Sequence, residues 1–223
     1  MISDTKEGQM IKTQISHIQP ADIEKESFRI LTEELAGMGI ELTGDTAPVI
    51  KRCIHTTADF DYASTLVFSD GAMDRIRTLI RSGATIVTDT NMALSGINKK
   101  ELARYGGDAR CFMADEDVAV EAKERGITRA SVSMERAMKL KGPVIFVIGN
   151  APTALITISE KTEAGEYFPG FVIGVPVGFV NVEAAKELII ASDIPHIVNR
   201  GRKGGSNVAA AICNAVLYSM RDG

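Results

Sequence analysis

The sequence predicts a single α/β domain, with a doubly wound, mainly parallel sheet and helices on both faces. Short apolar segments, such as residues 84–88 and 144–148, alternate with longer segments in which apolar residues recur at helical spacing. Strands that are apolar throughout are typical of parallel strands buried on both faces, and their alternation with helices indicates βαβ units. We therefore assign residues 14–223 to one domain and residues 1–13 to an N-terminal extension without a predicted function.

The first two predicted elements are helices. One is predicted over residues 20–36, because Pro20 suits a first helical turn and Gly37 can end the helix. The apolar residues that recur in it at helical spacing are Ile23, Ile30, Leu31 and Leu35. A shorter helix begins near residues 45–46, with Pro48 in its first turn. Its expected buried stripe comprises Val49, Ile50, Cys53 and Ile54.

The remaining elements alternate along the chain. Further helices are predicted over residues 70–82, 98–105, 116–125, 129–140, 152–160, 181–190 and 206–218. Strands are predicted over residues 84–88, 110–114, 144–148, 171–175 and 196–198. The segment 110–114 is the weakest of these strand predictions, since a charged residue opens it.

Composition narrows the class of protein. The formal net charge of -4 argues against a general nucleic-acid-binding protein, which normally carries a basic surplus. The most apolar region, residues 171–182, is shorter than the roughly 20 residues of a membrane span and contains Pro176. The N-terminus lacks the pattern of a secretory signal. The three cysteines are widely spaced, as expected for buried thiols in a reducing compartment. We expect a cytoplasmic protein that binds neither nucleic acid nor membrane.

Unusual sequences follow the predicted strands at their carboxyl ends. The segments are residues 88–92, 149–153, 174–179 and 201–206. In open α/β sheets, ligands bind beyond the carboxyl ends of the strands. The four segments therefore predict one large site along this edge of the sheet.

His55 is the predicted acid/base of that site. Histidine has an unperturbed pKa of about 6.5, so it can exchange a proton near neutrality. Arg52 lies three residues earlier, on the same side of the predicted helix. The alternative is a histidine that caps the helix C-terminus, where a cation is favoured. The other two histidines, His17 and His196, fall away from the predicted site, and we expect structural roles for them.

Further candidates could bind an anion. The turn at residues 201–206 is rich in glycine and opens a helix, so it could hold a phosphate or a carboxylate, or be purely structural. Arg129 stands at a helix start, where the helix dipole disfavours a cation, so it is either a surface charge or held for an anionic ligand. Ser27 lies on the apolar face of its helix, where its hydroxyl either bonds its own helix or faces a ligand. We expect no protein-bound metal, because residues 55–61 lack a second histidine or a cysteine at ligand spacing.

These segments together resemble the precorrin-8X methylmutases, called cobalt-precorrin-8 methylmutases in the anaerobic branch of cobalamin synthesis. The matching runs are ESF at 26–28, RCIHTTADF at 52–60, TDTNM at 88–92, GNAPTAL at 149–155, GVPVGFV at 174–180 and GRKGGS at 201–206. Each run is weak evidence alone, but six in the family's order are specific.

The resemblance implies an isomerase that moves a methyl group between adjacent ring C carbons of a corrin precursor. The family's histidine falls on His55, its helix serine on Ser27 and its substrate-contacting arginine on Arg52. A further arginine of the family falls on Arg129, which we also expect to bind substrate. The resemblance also implies a homodimer with sites near the interface. No cofactor is expected, since any cobalt is carried in the substrate macrocycle, and the sequence leaves open whether cobalt is present. The remaining expected substrate-binding residues, from the edge segments, are Thr88, Asn91, Asn150, Thr153, Arg202, Gly204 and Ser206.

Two other functions remain open at this point. One is a nucleotide- or sugar-phosphate-dependent enzyme that uses residues 201–206 for phosphate, which would bind simple phosphates tightly. The other is a non-catalytic corrinoid carrier, which would retain corrinoid without isomerising the precursor.

Overall fold

The computed structural model describes residues 19–20 and 22–221. The predicted N-terminal extension, residues 1–13, and His17 lie outside these described residues. Within them, the chain forms a six-stranded sheet in the order β1-β6-β5-β4-β2-β3. The strands are β1 (Leu66–Phe68), β2 (Thr85–Thr88), β3 (Asp108–Arg110), β4 (Val144–Ile148), β5 (Phe171–Gly174) and β6 (His196–Asn199). All neighbouring strands pair in parallel except β1, which runs antiparallel to β6 at one edge.

Eleven helices accompany the sheet in the described part of the chain. They are α1 (Ile23–Gly37), α2 (Ala47–Thr57), α3 (Tyr62–Thr65), α4 (Ala72–Arg81), α5 (Asn91–Gly96), α6 (Lys99–Ala103), α7 (Glu116–Arg125), α8 (Arg129–Ala137), α9 (Pro152–Glu163), α10 (Val182–Ile190) and α11 (Ser206–Ser219). None of the helices among residues 19–20 and 22–221 is long and apolar enough to cross a bilayer.

The four central strands, β2, β4, β5 and β6, contribute side chains to two separate cores, as the period-two alternation of a strand requires. On one face, Ile145 and Val147 of β4 pack with residues of α2, α4 and α11. On the other face, Phe146 and Ile148 of the same strand pack with residues of α8, α9 and α10. Both faces of the sheet are therefore covered, and the predicted fold class is confirmed.

Helix α11 is the most buried helix on its face. It lies against α2, α5 and the sheet, and its inward residues include the small side chains Ala209, Ala210 and Ala215. A Cβ at Gly96, in α5, would lie 2.7 Å from the Ala210 Cβ, so only glycine permits this approach. Small residues thus let α5 and α11 approach closely, and α11 also packs extensively against α2.

Several predicted boundaries need correction. The strand predicted over residues 110–114 is wrong in position: β3 ends at Arg110, and the amide of Asp115 bonds the Phe112 carbonyl in a turn. Phe112 packs between helices, so its apolar side chain does not indicate a strand at this position. In α1, only Leu31 and Leu35 of the predicted stripe are buried, whereas Ile23 and Ile30 are 55% and 43% exposed. The short helix α5 was not predicted.

Candidate active site

The loops after β2 and β4 are joined by a buried carboxylate. Asp89, 1% exposed, accepts hydrogen bonds from the backbone N–H groups of Gly149 (2.8 Å), Asn150 (2.8 Å) and Ala151 (2.6 Å). Burial raises the pKa of this carboxyl, and the three N–H donors partly oppose the increase. Asp89 therefore fixes the segment that precedes α9.

The turn between β6 and α11 packs closely against the end of β5. A Cβ at Gly204 would lie 2.1 Å from the carbonyl oxygen of Val175, so any other residue would collide with backbone. The next amide, of Gly205, donates to that same carbonyl at 2.9 Å. Gly204 therefore serves close backbone packing. Residues 200–206 are called the basic turn below, because they contain Arg200, Arg202 and Lys203.

The C-terminal end of α2 lies at this same edge of the sheet. Because β1 is antiparallel to β6, its first residue, Leu66, pairs with Asn199, the last residue of β6. The segment between α2 and β1 therefore reaches the basic turn. There the Lys203 Nζ lies 2.6 Å from Asp59 Oδ2 and 2.5 Å from Asp61 Oδ2. The hydrogen bond from Lys203 lowers the pKa of Asp59.

His55 lies in the last turn of α2, immediately before this segment, and is half-buried. Its imidazole stacks on the ring of Phe28 in α1, with centroids 4.9 Å apart and planes inclined by 9°. The ring nitrogens of His55 have no hydrogen-bond partner among residues 19–20 and 22–221. The stack therefore fixes the plane of the imidazole and leaves its nitrogens available to a ligand.

Arg52 lies beside this stack. Its guanidinium carbon is 4.8 Å from the Phe28 ring centroid and 5.7 Å from that of Tyr218, and it pairs with Glu24 of α1. A guanidinium over an aromatic ring gains cation–π attraction. Arg52 also borders a groove of about 460 Å³ that Phe28 and Tyr218 help to line. The structure thus places Arg52 and His55 against one aromatic ring.

Other predicted site residues meet in hydroxyl pairs that join the loops. The Ser206 Oγ, 9% exposed, lies 2.8 Å from the Thr90 Oγ1, which also caps α5. The Thr153 Oγ1 lies 2.9 Å from that of Thr128, the residue before Arg129. These contacts connect the start of α11 to that of α5, and the start of α9 to that of α8.

The predicted site residues differ in their solvent exposure. Thr88 is completely buried, and its hydroxyl donates to the Thr90 carbonyl at 3.0 Å, so in this conformation it supports the loop. Arg202 is exposed, pairs with Glu183 at 3.0 Å and lies 5.6 Å from the Phe179 centroid. Three predicted residues are solvent-exposed and form no such side-chain contact within the described residues: Asn91, Asn150 and Arg129. Ser27 is half-buried, and no hydrogen bond from its hydroxyl occurs within the described residues, so back-bonding to its helix is not seen.

Sequence reasoning missed several residues that shape the site. Phe28, Asp89 and Lys203 lie inside the recognised runs, so their positions were marked, but their partners come from distant segments. Asn199 carries no local signal, because an asparagine at a strand end is common. Lys186 does carry one, because it falls at helical spacing on the apolar stripe of Val182, Ala185 and Ile189, but a lysine in a helix is usually exposed.

The geometry also bears on the alternatives. Lys203 is engaged by two carboxylates and the Gly205 amide by a backbone carbonyl, which disfavours a phosphate at the basic turn. Within the described residues, no group of three or more histidine, cysteine, aspartate or glutamate residues could hold a metal ion. His196 is buried, with its Nδ1 2.7 Å from the Ile194 carbonyl, in keeping with the structural role expected for it.

The fold and this edge define a doubly wound α/β protein with one histidine-containing basic face beyond the carboxyl ends of its strands. Comparison with known proteins identifies the family. A sequence profile described as precorrin-8X methylmutase matches residues 22–219. The chain therefore belongs to the precorrin-8X methylmutase family, isomerases of cobalamin biosynthesis that catalyse an intramolecular methyl migration.

Individual relatives agree with this family. The cobalt-precorrin-8 methylmutase of Salmonella typhimurium is 42% identical over 218 residues, covering 92% of this chain and 97% of the relative. That of Priestia megaterium is 41% identical over 199 residues, covering 89% of this chain and 88% of the relative. The crystal structure of a precorrin-8x methyl mutase from Thermus thermophilus matches with a TM-score of 0.80 and 35% identity, covering 91% of this chain and 98% of that one. The resemblance inferred from the six runs is confirmed.

Proposed function

We propose that this chain moves a methyl group between adjacent carbons of ring C in a precorrin-8-type macrocycle, with His55 as the acid/base. The observation that carries the proposal is the His55–Phe28 stack at the carboxyl-end edge of the sheet. It holds one imidazole in a defined plane, with ring nitrogens that no described residue binds. A carbon-to-carbon methyl shift needs neither a nucleophile nor net redox change. It needs the conjugated ring protonated or hydrogen-bonded, and a positioned imidazolium can supply that proton.

The cations around this edge support an anionic substrate. Corrin precursors are fringed with acetate and propionate carboxylates, and guanidinium groups bind carboxylates bidentately. Three predicted arginines are carried by α2, α8 and the basic turn: Arg52, Arg129 and Arg202. The aromatic ring of Phe28, which also borders the groove, offers an apolar surface that suits the macrocycle itself. Any cobalt enters and leaves as part of the substrate, so we assign the protein no cofactor of its own.

We also propose a cytoplasmic homodimer with its sites near the interface. Phe179 and Val180, on the loop after β5, are 82% and 79% exposed, and Ile23 of α1 is 55% exposed. Large apolar side chains this exposed beside a binding edge are typical of surfaces covered by a partner or a ligand. Light scattering coupled to size exclusion tests the dimer, and a monomer at all working concentrations would exclude it.

Replacement of His55 tests the acid/base role. In His55→Ala, we expect turnover to fall by roughly 10²- to 10⁴-fold, the usual contribution of a general acid. Binding of the corrinoid product, followed by absorbance, should change little, because the arginines remain. Thr56→Ala is the matched control, since Thr56 is the exposed neighbour whose hydroxyl bonds only the Arg52 carbonyl. Turnover in His55→Ala equal to that of the control would exclude the role.

The two cobalt states can be compared in one assay. Wild-type protein is incubated anaerobically with precorrin-8X or with cobalt-precorrin-8, and product is followed by absorbance. Conversion of either substrate supports the methylmutase activity, and the faster one identifies the branch. Tight binding of corrinoid without any conversion would instead identify a carrier.

A further inference from the structure

Lys186 is a completely buried cation beneath the basic turn. It lies on α10 and is 0% exposed. Its Nζ donates to the backbone carbonyls of Gly201 at 2.6 Å and Lys203 at 2.8 Å. No carboxylate in the described part of the chain forms an ion pair with it. Two neutral carbonyls, both in one turn, are thus the identified partners of this ammonium.

Asn199 supports the same turn from the neighbouring strand. Its Nδ2 donates to the Lys203 carbonyl at 2.9 Å and to the Arg200 carbonyl at 3.2 Å, while its Oδ1 accepts from the Thr65 hydroxyl at 2.7 Å. The Lys203 carbonyl therefore receives two buried donors. Because these carbonyls point inward, the side chains of Arg202 and Lys203 lie on the outer, exposed side of the turn.

Burial of an ammonium group without a carboxylate partner is unfavourable to folding, because the charge loses its hydration. The inward neighbours of Lys186 on α10 are the apolar Val182, Ala185 and Ile189. An apolar side chain of similar length would fill this space without the desolvation cost of an ammonium. Burial lowers the pKa of Lys186 to about 8, against a smaller opposing effect of Glu183. What an apolar side chain could not do is bind two convergent carbonyls.

We propose that Lys186 is a positioning residue that holds the basic turn in the conformation that presents Arg202 to a carboxylate of the substrate. This rests on the proposed function, because it takes the basic turn to be part of the substrate site. Lys186 acts from below the turn through its backbone and does not touch the substrate. Gly204 fixes the far side of the turn against β5, so Lys186 and Asn199 complete its support.

The charged groups around Lys186 form ion pairs with residues other than Lys186. On its own helix, Glu183 pairs with Arg202 and Glu187 pairs with Arg200. On the turn, Lys203 pairs with Asp59 and Asp61, which raise its pKa. Of the groups facing this turn, Lys186 is therefore the one whose charge changes near pH 8.

Lys186→Met tests the proposal, because methionine is unbranched and apolar but cannot donate a hydrogen bond. We expect faster amide hydrogen exchange in residues 200–205 of the substrate-free variant. We also expect kcat/KM to fall roughly 10- to 100-fold, mostly through KM, since misplacement by about 1 Å has effects of this size. Lys123→Met is the control, because it makes the same substitution at an exposed lysine of α7, which contributes no residue to the turn. Unchanged exchange, or faster exchange with an unchanged KM, would overturn the proposal.

The wild-type protein provides a second measurement that does not depend on a folded variant. As pH rises through about 8, Lys186 becomes a neutral and weaker donor, so KM should rise. Thermal stability should rise over the same interval, because the unfolded lysine, with its higher pKa, then binds more protons than the folded one. A KM that stays constant while thermal stability rises over this interval would overturn the proposal, because the rise in stability shows that Lys186 has lost its proton. Failure of wild-type protein to isomerise either substrate would instead contradict the proposed function, and the exchange measurement would remain valid.

Discussion

Substitution of Gly204 by alanine is the sharpest test of how the site is built. The added Cβ would lie 2.1 Å from the Val175 carbonyl oxygen and 2.9 Å from that of Pro176, and both are backbone atoms that cannot rotate away. Relief of the contact needs a displacement of roughly 1 Å, the kind of overpacking that costs about 1–3 kcal/mol. The hydrogen bond from the Gly205 amide to the Val175 carbonyl weakens as the turn moves, which adds about 1 kcal/mol. The expected loss of unfolding free energy is therefore about 2–4 kcal/mol.

The assay is urea unfolding followed by circular dichroism, together with steady-state kinetics. Gly201→Ala is the matched control on the same turn. Its Cβ would meet nothing within 4 Å, but its φ of +77° disfavours alanine, so it should lose only about 1–2 kcal/mol. We expect kcat/KM of Gly204→Ala to fall roughly 100-fold, because the whole turn shifts. If Gly204→Ala is as stable as Gly201→Ala, the close contact with β5 does not exist.

Two further predictions concern ionisation. Lys203→Met should be slightly less stable than wild type at neutral pH, since the ion pairs of Lys203 are largely exposed. Because the folded pKa of Asp59 is lowered, the stabilisation is present above the unfolded pKa and disappears as pH falls through the folded value. The difference in urea midpoint between this variant and wild type should therefore shrink below about pH 4, and a constant difference would contradict the pairing. Alkylation of the native protein should modify Cys111, which is half-buried, and spare Cys53 and Cys213, whose burial raises the pKa of each thiol to about 12. Mass spectrometry identifies the modified thiol, and rapid labelling of Cys213 would refute its burial.

Much of the fold could be predicted because its strands carry the signal locally. Residues 144–148 form β4 as predicted, since five consecutive apolar residues suit a central strand buried on both faces. The antiparallel β1 could not be placed, because three residues do not reveal which neighbour they pair with. The strand predicted over residues 110–114 is wrong for a related reason. Phe112 packs against helices, and in the sequence its apolar side chain cannot be distinguished from that of a buried strand residue.

The site was predictable as a set of segments but not as a set of contacts. The spacing of Arg52 and His55 places both on one side of α2, as found. That both contact Phe28 depends on how α1 packs against α2, which no local pattern encodes. Thr88 illustrates the opposite difficulty, since a threonine after a strand can face a ligand or bond its own loop, and here its hydroxyl bonds the loop.

The packing of α2 against α11 constrains when this enzyme can form its site. The helix that carries His55 comes from the first third of the chain, and the surface it covers is supplied by Ser206–Ser219, close to the C-terminus. During synthesis on the ribosome, the side of α2 that α11 covers therefore stays uncovered until residues 206–219 have emerged, although α1 with its Phe28 is already present. A nascent chain that stalls before residue 206 would expose that side of α2 to solvent. The packing that supports the helix of His55 is thus completed late in synthesis.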